Sequence, residues 1–234
     1  MQLNWNQNIL ETVSILQSKE FSSNYTFKEI KPINWNQAWE SNYDPIEIDK
    51  SCVVRASFHK EYNYPYEIII NPKMSFGTGH HQTTYLMIKY ILEEELKGKN
   101  ILDMGCGTSV LAILAEKKGA KKIDAFDIDP WCCENSLENI EINNCNQISV
   151  KQGGKELITA VNFYDLIIAN INRNILLDQI QSYANALKNK GILLLSGFYK
   201  KDINPISEKC VSFGLKLIET KEKENWIALK ILKL

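Results

Sequence analysis

Hydrophobic positions fall into two regimes along the chain. Before about residue 50 they are sparse and set among Asn and Trp, and Ile9, Val13 and Leu16 predict one helix from Asn8 to Lys19, too little to build a core of its own. Two β-rich runs, Ser51 to Phe58 and Tyr66 to Ile70, flank a polar turn containing Pro65 and read as a hairpin. From Gln82 onward helical spacing alternates with short apolar runs. Helices are expected from Gln82 to about Leu96, Val110 to Lys118, Trp131 to Asn143, Ile175 to Lys188 and Pro205 to Phe213. Strands are expected at Asn100 to Met104, Lys122 to Phe126, near Ser149, Leu166 to Ala169, Ile192 to Ser196, Lys216 to Glu219 and Trp226 to Ile231. Such alternation implies an α/β fold with a mostly parallel sheet and helices on both faces. The short link between the last two strands adds an antiparallel edge, a departure from the all-parallel dinucleotide fold.

At 234 residues the chain can bury a full-sized core. Its 27 Lys and Arg against 28 Asp and Glu argue against a whole-protein grip on nucleic acid or anionic membrane. No apolar run approaches the roughly 18 to 20 residues of a membrane span, and Met1 to Trp5 lacks the basic-then-apolar order of a signal peptide. A cytoplasmic protein is therefore expected. Six cysteines without Cys-x-x-Cys spacing, and three histidines, predict reduced, mostly packed thiols and no metal site.

Chemistry concentrates where the first parallel strand meets its helix. Ile101-Leu-Asp103-Met-Gly105-Cys-Gly107-Thr-Ser109-Val110 joins a buried strand to a helix through two glycines, which lets backbone and helix N–H groups approach a ligand closely. About 20 residues after Gly107, Asp127 ends the next strand, where a carboxylate can bond both ribose hydroxyls. Pro130 suits the first helical position, so Asp129 reads as the N-cap. Val110 stands where a dinucleotide fingerprint has its third glycine, which favours an adenosyl ligand without phosphates. Asp103 suits the ammonium of S-adenosyl-L-methionine better than a pyrophosphate.

With these residues in place, the chain resembles the class I S-adenosylmethionine-dependent methyltransferases, and within them the PrmA family, which methylates lysine side chains and the N-terminal amine of protein eleven of the ribosomal large subunit. Three stretches carry the resemblance: Asn71-Pro-Lys-Met-Ser-Phe76-Gly77-Thr-Gly79-His80-His81-Gln-Thr83-Thr84, Leu102 to Ile113, and Asp165-Leu-Ile-Ile-Ala-Asn170-Ile. Trp35, Trp39 and Trp226 add to it. The resemblance implies a Rossmann-like, seven-stranded methyltransferase domain over 51–234, preceded by a shortened substrate-recognition segment over 1–50. Only 34 residues precede Trp35.

The resemblance places Thr84, Gly105, Asp127 and Asn170 at cofactor-binding positions. Gly107, Phe76 and Asp103 complete the expected cofactor set, with Phe76 covering the site. Asn170 and His81 are the expected catalytic residues: the Asn170 carbonyl orients the acceptor amine, and His81 helps to close the loop or to place the amine. Ser109 stands at the family's third glycine, and Gly153-Gly154 stands where an Asp commonly binds adenine. Asn170-Ile-Asn-Arg173 lacks the two prolines and tyrosine of the release-factor glutamine methyltransferases, leaving lysine or a terminal amine as acceptor. The expected partner is ribosomal protein eleven, with no direct nucleic acid, no membrane and a monomeric chain. Another protein or small amine as substrate, a cofactor-binding module without activity, and a nicotinamide oxidoreductase remain alternatives.

Overall fold

The computed structural model describes residues 44–71, 73 and 76–234 of the chain. The expected helix from Asn8 to Lys19, and Trp35 and Trp39, lie outside the described residues.

A small sheet comes first, built from β1 (Ile46–Ile48), β2 (Cys52–Arg55) and β3 (Tyr66–Ile69) in that order. The hairpin is made by β1 and β2. Ile48 pairs with Cys52, and of the three residues between them Asp49 and Lys50 have φ of +47° and +54°, a left-handed turn closed by the Ser51 N–H donating to the Ile48 carbonyl at 2.9 Å. The second partner of β2 is β3, and that pairing is parallel, with Cys52 opposite Tyr66 and Arg55 opposite Ile69. The expected hairpin between Ser51–Phe58 and Tyr66–Ile70 is thus corrected. One edge of β2 is taken by β1, so residues 56–65 cross back and deliver β3 in the same direction along the other edge.

The large sheet contains β4 (Asn100–Met104), β5 (Lys122–Asp127), β6 (Ile148–Gln152), β7 (Tyr164–Asn170), β8 (Leu187–Tyr199), β9 (Leu215–Lys223) and β10 (Trp226–Lys233). Their order is β6-β5-β4-β7-β8-β10-β9. The first five pair in parallel, whereas β10 runs antiparallel to both neighbours. The link from β9 to β10 is a two-residue left-handed turn, Glu224 and Asn225 at φ +49° and +67°. The expected antiparallel edge is this β9–β10 hairpin, with β10 inside and β9 at the rim.

Helices α1 (Gln82–Glu93), α2 (Val110–Lys117), α3 (Pro130–Ile142), α4 (Arg173–Ala186) and α5 (Ile203–Val211) cover the sheet. One face buries Ile101, Ile123, Ile168 and Leu194 with Met87 and Ile91 of α1 and Ile113 and Leu114 of α2. The other buries Leu102, Phe126, Ile167 and Leu195 with Leu176 and Ile180 of α4 and Ile206 of α5. Alternate residues of each central strand serve opposite layers, which is why these strands read as unbroken apolar runs. α4 starts at Arg173, two residues before the expected Ile175, because the Asn172 side chain accepts from the Ile175 N–H and caps it. The strand order reverses beside β4, between β5 and β7. Ligands of open α/β sheets bind at such a reversal, beyond the carboxyl ends of the strands.

Candidate functional site

At that reversal β4 runs out into Gly105, one residue past its end at Met104, β5 ends in Asp127 and β7 in Asn170, and a crevice of about 330 Å³ opens above them. Gly105 (φ +73°) leaves no room for a side chain, since a Cβ would stand 2.2 Å from Cγ2 of Ile171. The Gly105 and Cys106 N–H groups both donate to the Phe126 carbonyl, which ties the turn to β5. Asp127 is held from two sides: Gly107 N–H donates to Oδ2 at 2.9 Å and Asp129 N–H to Oδ1 at 3.0 Å. Each oxygen keeps a lone pair for a ligand hydroxyl. Asp129 caps α3 by accepting from Trp131 N–H, with Pro130 in the first turn, as its sequence position requires.

Ser109 adopts φ +61° without being glycine. Its buried hydroxyl donates to Ser136 Oγ at 2.8 Å, and Ser136 donates to the Gly107 carbonyl at 2.7 Å, so a hydroxyl pair braces the turn where the third glycine is missing. Gly153 lines the crevice, and its N–H donates to the Asp127 carbonyl at 2.8 Å. Met104, Phe126 and Ile175 supply apolar wall. Gln179 also lines it, its carbonyl accepting from the Tyr183 hydroxyl.

Asp103 lies beneath the turn, 1% exposed. Burial pushes its carboxyl up to about 7, the neighbouring Asp127 adds to this, and the Ala112 N–H opposes it. Its Oδ2 has no hydrogen-bond partner. Thr84 is fully buried at the start of α1, and its Oγ1 accepts from Asn170 Nδ2 at 3.4 Å. The Asn170 Oδ1 is buried without a partner.

A second pocket of about 270 Å³ adjoins the first, sharing Phe76, Asn170, Ile171 and Asn172, and adds His81, Thr83, Gly197 and Trp226. His81 packs edge-on to Trp226 at 4.6 Å and beside Phe76 at 5.2 Å between ring centroids, and Trp226 rests on Tyr199. His81 also caps α1: its Nδ1 accepts from the Thr83 N–H at 3.3 Å and lies 2.8 Å from the Thr83 hydroxyl. Burial lowers its pKa. A neutral ring whose Nδ1 accepts carries its proton on Nε2. A groove of about 390 Å³ near Tyr64 and Asn143 has no comparable glycine turn, and its Glu67 is paired with Arg55.

Of the residues expected from sequence, Phe76, Gly105, Gly107, Asp127 and Asn170 line the crevice; His81 lines the adjoining pocket, and Thr84 and Asp103 sit directly behind the lining. Gly197, Ile171, Asn172 and Tyr199 escaped the sequence reading. Only Gly197 carried a signal, a glycine near the end of a strand; a Cβ there would meet the Ile171 carbonyl at 2.2 Å. None of the six cysteines forms a disulfide. Burial, then the Asp127 charge, pushes the Cys133 thiol up, so its place after the helix cap does not activate it.

The dinucleotide fold in its usual strand order 3-2-1-4-5-6 has no such antiparallel strand inserted beside the rim, and its glycine turn cradles a pyrophosphate. The fold and the paired pockets define a class I S-adenosylmethionine-dependent methyltransferase. More narrowly, the chain belongs to the family of ribosomal protein L11 methyltransferases (PrmA), which it matches over residues 3–233. A ribosomal protein L11 methyltransferase of Porphyromonas gingivalis is 51% identical over 205 residues, covering 86% of this chain and 71% of the relative. That of Chlorobaculum parvum is 36% identical over 97% of this chain and 81% of its own length. Among solved structures, a ribosomal protein L11 methylase from Lactobacillus delbrueckii superposes with TM-score 0.74 at 27% identity, over 81% of this chain and 98% of that one.

S-adenosylmethionine is the cofactor of this enzyme class, and the residues present fit it. A crevice of this size matches a ligand of that class. The glycine turn gives close backbone approach, and Asp127 offers acceptors to a ribose. The buried, partnerless Asp103 oxygen supplies a site of negative potential for an ammonium. No helix among the described residues is long and apolar enough to cross a membrane.

Proposed function

We propose that the chain transfers methyl groups to lysine side-chain and N-terminal amines of ribosomal protein L11, working as a cytoplasmic monomer without direct contact to nucleic acid. The observation that carries this reading is the Asn170 carbonyl oxygen, buried and without a partner where the cofactor crevice meets the second pocket. An orphaned acceptor at that depth is costly unless a ligand donor meets it. An amine N–H is such a donor.

When bound, S-adenosylmethionine supplies an electrophilic methyl group on a sulfonium. The protein's task is to bring a neutral amine into line with it and to keep water away. Asn170 Oδ1 accepts one amine N–H and thereby points the nitrogen lone pair, while Thr84 Oγ1 holds the other end of the amide. The Thr84 hydroxyl keeps its own proton to donate, which suits the cofactor's carboxylate. Asp127 takes the ribose and Asp103 favours the ammonium. A lysine amine titrates at about 10.4 in water, and its proton leaves to solvent before transfer; the desolvating walls of Phe76, Trp226 and Ile171 favour the neutral form. His81 is a positioning wall in this scheme. Its Nδ1 is committed to Thr83, so it is not the base.

The near-neutral charge supports a protein substrate over nucleic acid. The segment before the methyltransferase domain is the proposed recognition element for that substrate. Ile46–Ile48 shares a sheet with β2, which supports counting it with the residues that follow rather than with that segment.

Intact-mass spectrometry of ribosomal protein L11 incubated with the chain and S-adenosylmethionine tests the reading, with Asp127→Ala as control. Increments of one methyl mass that vanish in the control are expected. Unmodified L11 under conditions where the cofactor binds would reject L11 as the substrate.

A further inference from the structure

Thr108 has no place in the scheme above, yet it is fully buried and bonded on every polar atom. Its N–H donates to the Phe76 carbonyl at 2.9 Å, and its hydroxyl donates to the Gly77 carbonyl at 2.6 Å. Its own carbonyl accepts from Asn139 Nδ2 at 3.1 Å. The Asn139 Oδ1 in turn accepts from the Asn71 N–H at 2.8 Å, and Asn135 Nδ2 donates to the Asn71 carbonyl at 3.3 Å. Asn71 on one side, and Phe76 and Gly77 on the other, are therefore tied to one centre formed by Thr108 and Asn139.

The contact has no slack. A Cβ on Gly107 would stand 2.3 Å from the Phe76 carbonyl oxygen, and one on Gly77 would stand 2.7 Å from Thr108 Oγ1. Backbone of the loop thus lies directly on backbone of the turn that cradles the cofactor. Phe76, delivered by this junction, is half exposed and forms part of the wall of both pockets.

We propose that Thr108 is a positioning residue for methyl transfer. It registers the Phe76 loop on the glycine turn, so that the wall of the acceptor pocket is set relative to the bound cofactor. This rests on the reading of the two pockets given above. Thr108 acts through Phe76 and touches no reacting atom.

The test is a double-mutant cycle in the full chain, using Thr108→Val, Phe76→Ala and the pair, with Thr108→Ser as the conservative variant. Cofactor affinity is measured by calorimetry, kcat and KM with ribosomal protein L11, and folding by thermal melts. Thr108→Val keeps the shape and loses the hydroxyl donor; it is expected to lower kcat about tenfold, with KM for L11 changing by less than about threefold. Thr108→Ser restores most of the loss. In the Phe76→Ala background, Thr108→Val lowers kcat no further, because the ring it places is gone. The same fractional loss in both backgrounds, or a fall in melting temperature with kcat unchanged, would overturn the proposal. If Thr108→Val does not fold, Asn139→Asp replaces it in the cycle, since it keeps the acceptor for Asn71 and loses the donor to Thr108. Failure of the wild-type chain to bind S-adenosylmethionine would instead strike the reading of the site itself.

Discussion

Asn170 Nδ2 reaches Thr84 Oγ1 across 3.4 Å, from the end of β7 to the first turn of α1, and this contact decides which way the amide faces. With the nitrogen committed to Thr84, the carbonyl oxygen is left facing a space that holds no protein donor. Asn170→Ala is expected to lower kcat about a hundredfold with cofactor binding retained within severalfold, as loss of an oriented dipole at a reacting centre does elsewhere. Thr84→Val releases the amide and is expected to cost about tenfold in kcat. Steady-state kinetics beside calorimetry checks both, and wild-type turnover by Asn170→Ala would remove it from the mechanism.

Asp127→Asn keeps one acceptor for the Gly107 N–H but loses the charge. Affinity for S-adenosylmethionine is expected to fall about tenfold to a hundredfold, since hydrogen bonds to an ionised acceptor are roughly twice as strong as neutral ones. Asp127→Ala also strands the part-buried Gly107 N–H, adding about 1 to 3 kcal/mol of instability, while the exposed Asp129 N–H turns to water. Isothermal calorimetry and urea unfolding separate the two losses.

Asp103 makes the stability of the ligand-free protein depend on pH. Burial raises its carboxyl from 3.8 to about 7, so between those values the folded chain holds a proton that the unfolded chain has lost. Stability from this group therefore declines as pH rises through that window. Asp103→Asn should remain flat where the wild type loses melting temperature between pH 5 and 8, and it should bind S-adenosylmethionine more weakly. Parallel melting curves for the two proteins would show that the carboxyl is not the source of the slope.

His81 works in the opposite sense. Its neutral ring is favoured in the fold, so its capping contribution is full above the ordinary His value of 6.5 and is lost as pH falls through the lower folded value. Turnover on a lysine amine should rise with pH toward the amine pKa and carry an additional acid limb from His81. His81→Asn retains an N-cap acceptor without titrating, and a kcat profile recorded from pH 5 to 9 should lose only that limb.

The glycine turn, Asp127 and the Asp129–Pro130 cap were legible because each is a local requirement: a positive φ, a carboxylate at a strand end, a proline with no N–H to satisfy. The small sheet was not legible. Val53 and Val54 have the composition of a strand with either partner, and only the left-handed Asp49–Lys50 turn gives β2 to Ile46–Ile48. Gly153-Gly154 offers no side chain for adenine, and the apolar wall from Met104, Phe126 and Ile175 draws on three separate elements. Nothing in their spacing says that they share a surface.

By itself the sequence determined the alternation of strands and helices, the glycine turn and the acidic residue at the end of the next strand, since periodicity and backbone restriction act over a few residues. It also carried the family signature of the Phe76 to Thr84 loop. The tertiary structure alone decided the parallel pairing of β2 with β3, the seating of the loop on Thr108, and the meeting of Asn170, Thr84 and His81 beside one another. These contacts join residues 86 positions apart in one case and 31 in another. Which donor finds which acceptor over such separations is settled only when the two layers of the core have closed on the sheet between them.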